Sequence, residues 1–297
     1  MSAPDRNKRW TVLDLLNSTR DYFEARGIEN ARLNAELVLA HVLGLERIML
    51  YVRFDQVPDD AIRARLREAV RRRGAHEPLQ YIRGTAEFYG RQFEVGPAVL
   101  VPRPETELLV ELALERTPEP PNARVLEIGA GSGCLAVTLA CERPAWRLVA
   151  TEASPEAAAV ARANARRHDV ADRCDVRVGS YLEPLDAAGD PTGPFHLVVS
   201  NPPYVRTAEL DTLQPEVRDY EPRLALDGGP DGLEAYRHIL PGAAPRLAPG
   251  GHLLVEIAPE LAPGIRAIAA GTDRFFEPEF VPDAAGHLRV ASLRLRD

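Results

Sequence analysis

The sequence predicts an α/β protein. A doubly wound, seven-stranded sheet with an antiparallel last strand follows a small N-terminal helical bundle, and a β-hairpin joins the two. Three observations predict this. From Arg124 onward, strand-like and helix-like stretches alternate, the order that yields a parallel sheet covered by helices on both faces. Before residue 79 the apolar residues keep helical spacing only. Between Leu79 and Glu107 the spacing becomes alternate and is punctuated by Gly84, Gly90 and Gly96. The expected divisions are 1–78 (helical), 79–104 (hairpin connector) and 105–297 (the sheet domain).

The elements follow in order. Val12, Leu15, Leu16, Thr19, Tyr22 and Phe23 form one helical face that Gly27 ends. A second helix fits Asn30 to Leu43 with Asn30 as its cap, and a third follows Asp59 and Asp60 with Ile62, Leu66, Ala69 and Val70 on one face. After the alternating segment, prolines lead into the helix ELLVELALER. RVLEIG, RLVATEA, DVRVGS, FHLVVS and GHLLVEIA read as strands. CLAVTLACER and SPEAAAVARANARRH read as helices, the second capped by Ser154 with Pro155 at its first position. FFEPEFVPDAAGHLRVASLRL reads as two strands joined by a short turn, hence antiparallel.

Composition narrows the function classes. The chain has 297 residues, 45% of them hydrophobic, enough for a full core. Its start is charged, with no signal-peptide apolar region, and no apolar run reaches membrane-spanning length. Cys134, Cys141 and Cys174 show no paired CxxC spacing and no nearby histidines, so neither a metal site nor a disulfide framework is expected, and a cytoplasmic location fits. Cys134 and Cys141 read as core packing. A net charge of −8 argues against a protein that holds long nucleic acid by its phosphates. The arginine-rich stretch AIRARLREAVRRR, with Arg63, Arg65, Arg67, Arg71, Arg72 and Arg73, reads as a solvated helix face, contact with an acidic partner or ribosomal RNA being the alternative.

Two stretches carry chemistry. The first is LEIGAGSG, residues 126–133, which follows a strand and opens a helix, the setting in which glycines let a ligand approach backbone amides. Gly129, Gly131 and Gly133 form GxGxG rather than GxGxxG, because Cys134 stands where the last glycine would fall. Preceded by acidic Glu127, this resembles motif I of S-adenosylmethionine-dependent methyltransferases. Glu152, at the end of the next strand, can accept both hydroxyls of a ribose, or instead cap the helix near Ser154. The second stretch is SNPPYV, residues 200–205, at the end of the fourth strand. Two prolines stiffen the chain there and Pro202 forces Asn201 to be extended. In strand order 3-2-1-4-5, the glycine loop and NPPY end neighbouring strands and face one crevice.

Methyl transfer to an amide nitrogen needs that nucleophile held in line with the donor methyl, with acceptors for both of its N–H groups. Asn201 offers a side-chain carbonyl, Pro202 a backbone carbonyl, and Tyr204 a wall for a planar acceptor group. N/D-PP-Y/F is shared by methyltransferases acting on planar nitrogen. Together with QYIRGTAEFYGRQFEVGPAVLVPRPETE, YEPRLALDGGPDGLEAYRHI and the helical N-terminal segment, it makes nearly the whole chain resemble the bacterial peptide chain release factor N5-glutamine methyltransferases.

That resemblance implies a Rossmann-like methyltransferase sheet, S-adenosyl-L-methionine as cofactor, and as substrate the glutamine of the Gly-Gly-Gln loop of class I release factors. It implies cofactor contacts from Glu127, Gly129, Ala130, Gly131, Ser132, Gly133, Glu152, Tyr181 and Asn201. Glutamine contacts are implied for Asn201, Pro202, Pro203 and Tyr204, and catalysis for Asn201, Pro202 and Tyr204. Ser180, Ala130, Glu127 and Glu152 depart from the family's usual acidic residue, Thr, Asp and Asp. Glu105 and Glu107 could face the pocket, although Thr106 and its neighbours make a good helix start. The hairpin and the DGGPDG loop, Asp227 to Gly232, are expected to frame the entrance. Alternative readings are methylation of a ribosomal-protein glutamine or of a base exocyclic amino group, and a noncatalytic cofactor-binding regulator, which would not need NPPY.

Overall fold

The computed structural model describes residues 9–117, 121–186 and 193–296. The chain forms two compact units. The first, helical unit reaches to Gly84 and includes the distant segment Pro215–Tyr220. Its helices are α1 (Val12–Glu24), α2 (Ala31–Leu43), α3 (Met49–Val52), α4 (Asp60–Gly74) and α5 (Leu79–Arg83). Val12, Leu16 and Phe23 of α1 pack with Ala35, Val38 and Leu39 of α2 and with Leu66 and Ala69 of α4. Thr11 caps α1 in a reciprocal box with Asp14, which satisfies amides that no helical carbonyl can reach. Asn30 precedes α2 in a left-handed conformation without a side-chain cap.

Two sequence expectations need correction here. Leu79–Arg83 is helix rather than the start of the hairpin, because Leu79 and Ile82 pack into the helical core. The arginine face is also not uniformly solvated: Arg73 is 3% exposed. Its guanidinium donates to Asn34 Oδ1 and to Glu216, both at 2.8 Å.

The second unit opens with the hairpin β1 (Thr85–Phe88) and β2 (Arg91–Glu94), then α6 (Glu107–Arg116). The sheet elements follow as β3 (Arg124–Ile128), α7 (Cys134–Glu142), β4 (Arg147–Glu152), α8 (Pro155–Arg167), β5 (Cys174–Val178) and β6 (Phe195–Ser200). After the short helix α9 (Pro215–Arg218) of the first unit come α10 (Glu234–Ala243), β7 (Leu247–Glu256), α11 (Ala262–Thr272), β8 (Glu279–Pro282) and β9 (Leu288–Arg294). The sheet order is β5-β4-β3-β6-β7-β9-β8, and β9 runs antiparallel to both its neighbours. The chain is therefore the expected doubly wound α/β sheet, with its crossover point between β3 and β6.

Alternation along the strands buries both faces. Val125, Leu148, Leu197, Val199 and Leu254 pack with α6, α7 and α8 on one side. Leu126, Val149, Val198, Leu253 and Val255 pack with α10 and α11 on the other. Two covered faces explain why the strands read as continuous apolar runs. Among the described residues no helix is long and apolar enough to cross a membrane, and no group of three or more metal-ligating side chains forms.

Candidate active site

The carboxyl ends of β3, β4 and β6 open onto one cavity of about 520 Å³, the position where doubly wound sheets hold ligands. Glu127, Gly129, Ala130, Gly131, Ser132, Glu152, Tyr181, Asn201, Pro202 and Pro203 all line it. The turn after β3 is pinned from beneath, since the amides of Gly129 and Ala130 donate to the Thr151 carbonyl at 2.9 and 3.0 Å. Gly129 and Gly131 have φ of +80° and +53°, and a Cβ on either would meet nothing within 4 Å. A side chain there would project into the open cradle, so glycine keeps the backbone accessible to a ligand.

Glu152 joins the two sides of this cradle. Its Oε2 accepts the Gly131 amide at 2.8 Å and its Oε1 accepts the Ser154 amide at 2.9 Å. Of its two readings, these bonds show support of the α8 start. Each oxygen retains lone-pair capacity toward the cavity. Ser154 itself caps α8 through Ala157. Glu127 is 1% exposed and accepts the Ala136 amide at 3.0 Å, tying β3 to α7. Burial, with a smaller push from Glu152, raises its carboxyl to about 8. Tyr181 stacks on His238, ring centroids 4.7 Å apart.

Asn201 continues β6. Ser200 donates to the Ile128 carbonyl at 2.6 Å, which ties the end of β6 to the end of β3. Asn201 Nδ2 donates to Thr106 Oγ1 at 3.1 Å, and Thr106 Oγ1 donates to Glu256 Oε2 at 2.7 Å. Tyr204 Oη donates to Glu256 Oε1 at 3.4 Å. Glu256 ends β7, whose Val255 pairs with Ser200, and is 2% exposed. Burial raises its carboxyl to about 6, opposed by the Thr106 hydrogen bond and by Arg289. Among the described residues nothing donates to Asn201 Oδ1, and no backbone amide donates to the Pro202 carbonyl.

Several expectations shift in detail. Tyr204 is not among the residues lining this cavity; its ring packs against the core that includes Val255 of β7 and its phenol donates to Glu256. Gly133 also lies off the cavity. Its φ is +78° and a Cβ there would sit 3.1 Å from Ala161, so it serves close packing of α8. Of the 79–104 connector, strands β1 and β2 are not in the lining and are bonded to α8 and α6: Asn164 bonds Glu94 through both its side-chain atoms, and Glu107 accepts the Tyr89 amide at 2.7 Å. The chain after it, Pro97 to Leu100 with Pro102 and Arg103, forms one wall. Pro222, Leu224 and Ala225, rather than DGGPDG, add to the rim.

DGGPDG supports NPPY from behind. Gly228 donates to the Val205 carbonyl at 2.8 Å, and Val205 donates to Leu226 at 2.9 Å. Cys134 lines the cavity, with burial holding its thiol at about 12, so it is a neutral wall. Sequence reasoning missed Thr106 and Glu256. The available signal was an acidic residue closing the apolar run LLVE beside the strand that carries NPPY.

Residues 14–84 match the PrmC N-terminal domain, and residues 104–229 match the methyltransferase small domain. A release factor glutamine methyltransferase of Geobacter sulfurreducens is 52% identical, with 82% of each chain covered. Another, from Rhodopirellula baltica, is 38% identical over 99% of each chain. The fold is similar to that of a solved methyltransferase from Pyrococcus furiosus, with a TM-score of 0.50, 18% identity, and coverage of 80% of this chain and 99% of that one. On this similarity over most of its length, the chain belongs to the release factor glutamine methyltransferase family.

Proposed function

We propose that the chain is an enzyme that uses S-adenosyl-L-methionine to methylate the side-chain nitrogen of the Gly-Gly-Gln glutamine in class I peptide chain release factors. The observation that carries this reading is the convergence of a glycine cradle and an uncommitted Asn201 Oδ1 on one cavity, from the ends of adjacent strands. The names and identity of the relatives support the choice of substrate.

The cavity suits the cofactor: the space above Gly129 and Gly131 admits a ligand against the backbone, and Glu152 offers acceptors for vicinal hydroxyls. When bound, S-adenosylmethionine supplies a methyl group already activated by its sulfonium. Glu127, Ala130, Ser132 and Tyr181 complete the lining that would hold it. The chain's remaining task is to hold and polarise a weak nucleophile. A carboxamide nitrogen shares its lone pair with its carbonyl; acceptors on both N–H groups favour the transition state in which that lone pair is withdrawn to form the new bond. Asn201 Oδ1 and the Pro202 carbonyl supply these acceptors, and Pro202 and Pro203 keep them still. The amide nitrogen would bond to the methyl carbon as the carbon–sulfur bond breaks, the electron pair leaving on the thioether S-adenosylhomocysteine, and the nitrogen would then lose one proton to solvent.

The helical unit would recognise the release factor. The full chain should transfer labelled methyl from S-adenosylmethionine to a class I release factor and not to its Gln→Glu variant in the Gly-Gly-Gln loop. Label on ribosomal RNA alone would overturn the substrate.

A further inference from the structure

We propose that Glu256, acting through Thr106, is a positioning device that sets which end of the Asn201 carboxamide faces the reaction cavity. The inference rests on the function proposed above for its kinetic consequences, although its geometric content does not.

The argument is one of donor counting. A carboxylate only accepts hydrogen bonds, and a threonine hydroxyl has one hydrogen to give. With Thr106 Oγ1 2.7 Å from Glu256 Oε2, that hydrogen goes to Glu256. The Thr106 oxygen can then only accept from Asn201, and it takes Nδ2 at 3.1 Å. Oδ1 is thereby the end left for the cavity. A substrate amide presents N–H groups, so this orientation pairs donor with acceptor. The reverse orientation would set Nδ2 against those N–H groups and lose the bond.

Two local facts support a dedicated relay over incidental packing. Thr106 occupies the cap position of α6 but makes no side-chain cap bond, because its hydroxyl is committed to Glu256. Glu256 is a 2%-exposed carboxyl with no ion pair among the described residues, held instead by two hydroxyls, Thr106 and Tyr204. A buried carboxylate without a counter-ion is costly unless its acceptor role is used.

Protonation of Glu256 reverses the logic. A neutral carboxyl can donate to Thr106, whose hydrogen is then free for Asn201, and the amide can turn over. The groups that face Glu256 are Arg289 from β9, which favours the anion, and Glu105 from the turn before α6, which disfavours it. Tyr204 after β6 also donates to it, while the Tyr236 phenol of α10 bonds its backbone carbonyl and Cys134 of α7 lies within its field.

The test uses the full chain as wild type, Thr106→Val, Thr106→Ser and Glu256→Gln. Asparagine side chains are labelled with nitrogen-15, and the Asn201 amide signal is assigned by its loss in Asn201→Asp. The wild-type signal should move through one inflection in the acid range, which Glu256→Gln and Thr106→Val abolish and Thr106→Ser retains. In methyl-transfer assays Thr106→Val should lower kcat roughly ten- to a hundredfold with little change in KM. Thr106→Ser should restore most of it, and Glu256→Gln should flatten the acid limb of the rate profile.

An Asn201 signal indifferent to all three changes, in chains that retain wild-type circular dichroism, would overturn the relay whatever the substrate. If the signal responds as described but no variant, wild type included, methylates a release factor, the proposed substrate falls and the relay stands.

Discussion

At the scale of single residues, the site combines groups that the sequence makes conspicuous with others that it conceals. Asn201 is conspicuous because a polar residue followed by two prolines closes an apolar strand. Gly129 and Gly131 are conspicuous because only a backbone that must lie open after a strand calls for such spacing. Thr106 and Glu256 look locally explained, one as a helix cap and one as a strand end. Their partnership spans 150 positions in sequence, so no local pattern reports it. Glu127 is another concealed case, since its position suggests a ligand contact while its burial makes it a titrating group.

Glu127 also has a consequence for stability. Its folded-state carboxyl is raised from 4.5 to about 8, so between those values the folded chain holds a proton that the unfolded chain has released. The stabilisation from that proton is complete below 4.5 and is lost as pH rises through about 8. Thermal unfolding followed by circular dichroism should show wild-type stability falling across this window, with a contribution approaching about 1.4 kcal/mol per pH unit. Glu127→Gln, whose side-chain oxygen can still accept from Ala136, should lack that slope. Parallel curves for the two proteins would assign the pH dependence elsewhere.

At the scale of elements, the parallel strands were legible because both faces of the sheet are covered and each strand is therefore apolar throughout. The antiparallel β8–β9 pair was legible from its short turn. Less legible was the function of DGGPDG, whose composition predicts a turn but not what the turn supports. A Cβ on Gly228 would fall 2.7 Å from Tyr204 Cα and 2.9 Å from the Pro203 carbonyl oxygen. These are backbone atoms of NPPY and cannot swing aside. Gly228→Ala should therefore cost roughly 1–3 kcal/mol in urea unfolding and lower kcat together with stability, because NPPY must shift to make room. A variant with unchanged midpoint and unchanged kcat would show that the loop does not set the position of NPPY.

At the scale of the whole molecule, one helical core holds the first unit and a core on each face of the sheet holds the second. The helical core was foreseen from periodicity in α1, α2 and α4. The place of Pro215–Tyr220 in the helical unit was not: Glu216 reaches Arg73, and the Tyr220 phenol donates to the Ala75 carbonyl at 2.7 Å. Pairing between segments so distant in sequence leaves no periodic trace, and the boundary at Gly84 depends on Leu79 and Ile82 reaching the helical core. In the sheet unit the strand order places the glycine turn and NPPY at one rim. The catalytic reading depends on that juxtaposition.

The most direct test is mass-spectrometric mapping of a class I release factor after incubation with S-adenosylmethionine and either the wild-type chain or Asn201→Ala. The account predicts one methyl group on the Gly-Gly-Gln glutamine nitrogen with the wild type. With Asn201→Ala the rate should fall roughly a hundredfold or more, in a protein whose thermal unfolding is close to wild type. Methylation of that glutamine at an undiminished rate by Asn201→Ala would contradict it.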